Sequence, residues 1–148
     1  MLRAAYDFNL FEYTVAWIVA GVVALPLIGL AGFKNPEFKF KSGADIQSSL
    51  TIVVFAILFS YGAVVTLNSL LDTSRPEIFK TKILSKRVNH NKIDTHYVTP
   101  EPWGGQKEPR EATVSPTFYG RIESGEPITV RRYRGVFNIP WFQIAEDN

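Results

Sequence analysis

The stretch IQSSLTIVVFAILFSYGAVVTLNSLL, residues 46–71, decides the fold. It contains no Asp, Glu, Lys or Arg. An α-helix rises 1.5 Å per residue, so the ~30 Å hydrocarbon core of a bilayer needs roughly 20 apolar residues. This run is long enough, and so is YTVAWIVAGVVALPLIGLAGF, residues 13–33. In lipid every backbone polar group must be bonded internally, so both runs are expected to be transmembrane helices. A cleaved signal peptide is the alternative for the first. It requires a basic leader and an apolar core of about 7–15 residues. The leader here sets Arg3 against Asp7 and Glu12, and the run behind it is longer. A retained anchor is therefore expected.

These runs divide the chain into a leader (1–12), a first span (13–33), a connecting loop (34–45), a second span (46–71) and a carboxyl-terminal region (72–148). Tyr13 and Trp17 stand at the start of the first span, where amphipathic rings favour the membrane interface. Pro26 removes one backbone donor and is a candidate kink. Ala16, Ala20 and Ala24 form a smooth stripe at four-residue spacing, and Ala56, Ser60 and Ala63 offer small side chains on the second span. Small residues let helix backbones approach closely, so the two spans are expected to pack as an antiparallel hairpin. A partner helix could use the same stripe.

Charge beside the spans sets orientation. Arg3, Arg75, Lys80, Lys82, Lys86, Arg87 and Lys92 flank the terminal ends, against Lys34, Lys39 and Lys41 in the connection. The bias places both termini in the cytoplasm and the FKFK stretch, 38–41, on the outer face. Lys80, Lys82, Lys86 and Arg87 are then expected to contact anionic headgroups.

Beyond Leu71 the composition becomes polar. IFKTKILSKRV alternates apolar and basic residues as a half-exposed strand does, and KIDTHYVT alternates again. NHN, 89–91, is the turn candidate between them. PEPWGGQKEPRE, 100–111, reads as a long loop. Ser115 followed by Pro116 is an N-cap with Pro at the first helical position, so one helical turn is expected there. ITVRRY is a strand, Arg134-Gly135 turns the chain, and FNIPWFQI returns it. The expectation is four or five strands in a small, mostly-β extramembrane domain, either a twisted sheet or an open barrel. Phe118, Tyr119, Ile128, Val130, Val136, Ile139, Trp141 and Ile144 are its expected core. Phe137 and Phe142 break the alternation of the last strand and are assigned to partner contact.

Chemistry is sparse. The 148 residues include no Cys, which excludes disulfides and thiolate sites. His90, Asp94 and His96 could share one strand face, but a turn histidine and a surface histidine are the favoured reading. No Gly-x-Ser-x-Gly elbow or phosphate-cradling loop occurs. The Arg131–Arg134 cluster suggests nucleic acid, yet residues 72–148 carry 12 basic and 10 acidic side chains, too balanced for an electrostatic footprint. No ionisable side chain lies within either run, where proton and ion pathways usually place one.

From LNSLLDTSRPEIF through ILSKRV and THYVTPEPW to VSPTFYGRIESGEPITVRRYRGVFNIPW, the chain resembles a group of uncharacterised bacterial two-helix membrane proteins with a short β module. GEPITV is loosely similar to a strand of membrane-tethered oligonucleotide/oligosaccharide-fold (OB-fold) modules. That likeness implies a five-stranded barrel used as an interaction domain, and it transfers no catalytic residue. The combined expectation is a non-enzymatic, multi-pass inner-membrane protein. It would be an accessory or structural subunit docking on a larger membrane complex, without a cofactor. Its partners would be membrane lipids and other integral membrane subunits, not nucleic acid. The alternative is a membrane-tethered module sensing a ligand or lipid, and a hydrolase or metal enzyme ranks third.

Overall fold

The computed structural model describes residues 9–34, 43–90 and 94–145. The expectations for the FKFK stretch and for Asn91 of the 89–91 turn lie outside the described residues. The chain forms two compact units: residues 12–70, and a second unit assembled from residues 1–11 and 71–148.

The first unit is helical. Helix α1 spans Tyr13–Lys34 and runs through Pro26, and α2 spans Gly43–Leu70. Ala16, Ala20 and Ala24 are buried along α1, which packs on α2. On α2 the buried residues are Ser49, Ser60, Val64, Asn68 and Ser69. From Ser60 the buried face continues to Val64 and Asn68, with Ala56 and Ala63 at its margin. Ala56 and Ala63 are half-buried. Trp17, early in α1, stacks on Tyr61, late in α2, with ring centroids 4.1 Å apart. The Ser69 hydroxyl donates back to the Val65 carbonyl at 3.1 Å, as polar side chains in apolar helices commonly do. Outside the mutual face both helices expose large apolar side chains. Ile18 is 63% exposed, Phe55 68% and Phe59 71%.

The second unit is a six-stranded antiparallel sheet that nearly closes on itself. Its strands are β1 (Asn9–Leu10), β2 (Glu77–Asn89), β3 (Thr95–Pro100), β4 (Ala112–Val114), β5 (Pro127–Tyr133) and β6 (Trp141–Ile144), in the spatial order β1-β6-β5-β2-β3-β4. The two edges approach where the Thr113 amide donates to Asn9 Oδ1 at 3.1 Å. The long β2 serves both halves: residues 77–82 pair with β5, and residues 83–89 pair with β3.

Two features depart from the sequence reading. Asn9 pairs with Phe142 and Leu10 with Trp141, so the described end of the leader adds a strand to the β domain. The second departure is a bulge in β2 between Ile83 and Ser85. It places Leu84 and Ser85 consecutively on the exposed side and shifts the alternation by one. Lys86 therefore turns inward, where its Nζ donates to the Tyr119 carbonyl at 2.7 Å and to that of Ile122.

The interior holds Ile83, Val98, Val114, Phe118, Ile128, Val130, Phe142 and Ile144. Trp103, from the Pro- and Gly-rich loop, enters this core with ring contacts to Phe11, Phe79 and Phe142. Gly104 beside it has φ +57°, and an added Cβ would meet the Phe79 ring at 3.4 Å. Arg132 covers this aromatic cluster. It lies over the Phe11 and Phe79 rings, donates to the Gly104 carbonyl and pairs with Glu77. A six-residue helix α3, Pro116–Arg121, begins as expected: Ser115 caps it by accepting from the Phe118 amide at 3.1 Å.

Phe142 corrects its assignment to partner contact. It is 1% exposed, because strict alternation along β6 points it inward with Ile144. Val136, expected in the core, is 49% exposed in the turn before β6. Phe142→Ala should therefore destabilise the β domain by about 3–5 kcal/mol. Val136→Ala should cost no more than a few tenths, as surface changes usually do. Urea titration in mild detergent, followed by tryptophan fluorescence, checks both.

Candidate functional site

The strongest constellation lies where the chain returns from α2. Asp72 Oδ1 accepts from the Ser74 amide at 2.8 Å, forming a local turn. Its Oδ2 accepts from the Gly135 amide at 2.8 Å and from the Trp141 indole at 2.9 Å. Gly135 has φ +78° and Asn138 φ +57°, which builds the tight turn between β5 and β6. That turn is closed by the Asn138 amide on the Gly135 carbonyl and by Arg134 Nε on Asn138 Oδ1. One residue before Trp141, the Pro140 carbonyl accepts from the Phe11 amide at 2.9 Å. Pro140 and Trp141 thus hold both the residue leading into α1 and the residue following α2.

Partial burial alone pushes the Asp72 carboxyl up. Hydrogen bonds from Ser74, the Trp141 indole and the Gly135 amide outweigh it and hold the carboxyl below its ordinary value. Trp141 is buried although it faces away from the core. Tyr133 stacks on it with centroids 4.3 Å apart, and Gln143 donates to the Tyr133 hydroxyl. The hydrogen bonds to Asp72 act as a structural clamp between the segment after α2 and the β5–β6 turn.

The basic residues expected at headgroups separate into two pairs. Lys80 and Lys82 are exposed on the outer face of β2 and make no hydrogen bond or ion pair among the described residues. Lys86 is committed to the carbonyls at the end of α3 and lies 4.2 Å from the Tyr119 ring centroid. Arg87 pairs with Glu111 at 2.7 Å, which raises its pKa through hydrogen bonding and charge. Lys86 is therefore withdrawn from headgroup contact, whereas Arg87 stays exposed with Glu111 beside it. The Arg131–Arg134 cluster is divided as well: Arg131 and Tyr133 face outward and Arg132 inward.

His90 Nδ1 lies 3.1 Å from Asp94 Oδ1 on an exposed rim, whereas His96 packs edge-on against Tyr119. Among the described residues no group of three or more His, Asp or Glu side chains could hold a metal ion. Phe137 is 39% exposed in the β5–β6 turn. On α2, Leu58, Phe59, Gly62, Ala63, Thr66 and Leu67 line a shallow apolar groove. Ala63, expected at the α1 face, belongs to this groove.

Removing the clamp carboxylate with Asp72→Ala leaves the Trp141 indole and the Gly135 amide without their acceptor. The expected cost is on the order of 1–3 kcal/mol per orphaned donor, read from the urea midpoint. Because the folded carboxyl is held low, its contribution is complete above the unfolded value near ~3.9 and is lost as pH falls through the lower folded value. Asp72→Asn should therefore be less stable than the parent at neutral pH, with the difference shrinking below about pH 4.

Comparison of the chain with protein-family models, with curated proteins and with solved structures finds no match.

Proposed function

We propose that the chain is an integral membrane protein whose helical hairpin docks on other membrane subunits, with the β domain as an interaction module on the cytoplasmic side. The membrane reading is supported by two helices of 22 and 28 residues that are long and apolar enough to cross a bilayer. Only 17% and 11% of their most apolar windows are buried. Helices at the core of a soluble domain would hide such surface rather than expose it.

Connectivity supports a common side for both ends. Residues 11 and 12 alone separate β1 from α1, and residues 71–76 separate α2 from β2. Both connections begin in one sheet, so two spans must leave it and return to it on the same face of the membrane. The basic residues after the second span favour the cytoplasmic face.

The observation that carries the docking reading is the groove on α2. Gly62 and Ala63 at its floor, rimmed by Leu58, Phe59 and Leu67, have the form that admits a second helix at close approach. A Cβ placed on Gly62 meets nothing within 4 Å, so the groove can be filled without disturbing the chain's own fold. Gly62→Leu should leave thermal stability in detergent unchanged or slightly raised while removing co-purifying membrane proteins, as read by mass spectrometry after mild-detergent extraction. Retention of the same partners by the variant, or a parent protein that runs alone as a monodisperse monomer in several detergents, would contradict the docking reading.

A further inference from the structure

We propose that the outer face of β2 and β5 is a docking surface for an anionic bilayer. The inference rests on the membrane reading above but is independent of any protein partner. Before the bulge, β2 presents Ile78, Lys80 and Lys82 on its outer face, followed by Leu84. Arg131 pairs across from Ile78, and Thr129 from Lys80. Ile78 is 64% exposed and Leu84 47%, so two aliphatic side chains flank two lysines.

Lysines elsewhere on this strand show what a structural role looks like. Lys86 spends all its visible bonding on carbonyls of the domain, whereas Lys80 and Lys82 make no hydrogen bond or ion pair among the described residues. Glu101, whose amide donates to the Lys82 carbonyl at 2.8 Å, forms no ion pair with it. The face is therefore a pair of uncompensated ammonium groups with apolar side chains at either end. That pattern matches anionic headgroups over an acyl boundary: the ammonium groups meet the phosphates and the aliphatic side chains enter the interface.

The tether favours the same partner. Ile78 follows the end of α2 at Leu70 by eight residues. At roughly 3.3–3.6 Å per residue these span at most about 29 Å. If α2 crosses the bilayer, the face is confined near the surface at high effective concentration, so weak contacts suffice.

The test uses the full chain alone in nanodiscs, so a failed protein-docking reading leaves it interpretable. The protein has no native cysteine, and Thr129→Cys carries an environment-sensitive fluorophore on the proposed face. In nanodiscs containing phosphatidylglycerol the label should shift to the blue and be quenched by brominated acyl chains. Neither should occur in pure phosphatidylcholine, and added salt should reverse both. Lys80→Gln with Lys82→Gln should weaken docking by roughly 30-fold, each lysine near an anionic surface contributing about five-fold. Lys107→Gln, an equal charge change in the Pro-rich loop, should leave docking unchanged. If the double variant fails to fold, each single variant must show its own five-fold loss. Equal signals in neutral and anionic nanodiscs, or docking that survives loss of the lysines, would overturn the proposal. A blue shift that arises in neutral nanodiscs only when membrane proteins are added would assign the face to a protein and overturn it as well.

Discussion

The fold depends on one constraint: a helical hairpin is inserted into a β domain, and the ends of the insertion must meet. Pro140 and Trp141 supply the meeting point. The Pro140 carbonyl takes the Phe11 amide just before α1, and the Trp141 indole gives its proton to Asp72 just after α2. Neither interaction is large alone: a neutral hydrogen bond contributes about 0.5–1.5 kcal/mol net, and one to a charged group such as the Asp72 carboxylate about 1.5–3. Their value lies in position. They fix the ends of a segment of nearly sixty residues at adjacent points on one strand, so the domain is completed only when both flanks of the hairpin are in place.

The same constraint shapes the aromatic core. Phe11 arrives from the amino-terminal flank, Trp103 from the loop after β3, Phe79 from the start of β2 and Phe142 from β6. The ring pairs lie within 4.9–5.8 Å of one another, the range in which edge contacts add about 0.5–1.5 kcal/mol beyond simple burial. Arg132 covers the cluster and is neutralised by Glu77, so a basic strand contributes one cation inward and leaves Arg131 on the other side. A β domain with a packed aromatic interior and with Lys80, Lys82 and Arg131 on its outer face follows from this division.

Much of this was legible in the sequence, and the parts that were not share a physical cause. The two apolar helices are visible because length and the absence of charge are local properties. Ser115 and Pro116 announce α3 for the same reason, and the turn at Gly135 is marked by its residue type. By contrast, Asn9–Leu10 carries no periodicity of its own and becomes a strand only by pairing with β6. Lys86 reads as exposed because nothing in ILSKRV signals the bulge that turns it inward. Phe142 and Trp141 exchange the expected faces: Phe142 follows the alternation into the core, while Trp141 is buried on the outer side by Tyr133 and Asp72. Each miss is a tertiary pairing that overrides a local pattern. The groove around Gly62 was only half visible, since Ala63 belongs to the small-residue set but lies at the margin of the buried face and also lines the groove.

Asn9 and Leu10, just ahead of the first helix, form a strand of the β domain. Hydrogen exchange of the full-length protein in detergent, resolved at the Asn9 and Phe11 amides that face β6, tests this most directly. These amides should be protected to about the same degree as those of Trp141 and Phe142 in β6, because they belong to one cooperative unit. Exchange of Asn9 and Phe11 at the rate of an exposed chain, while β5 and β6 stay protected, would contradict the insertion.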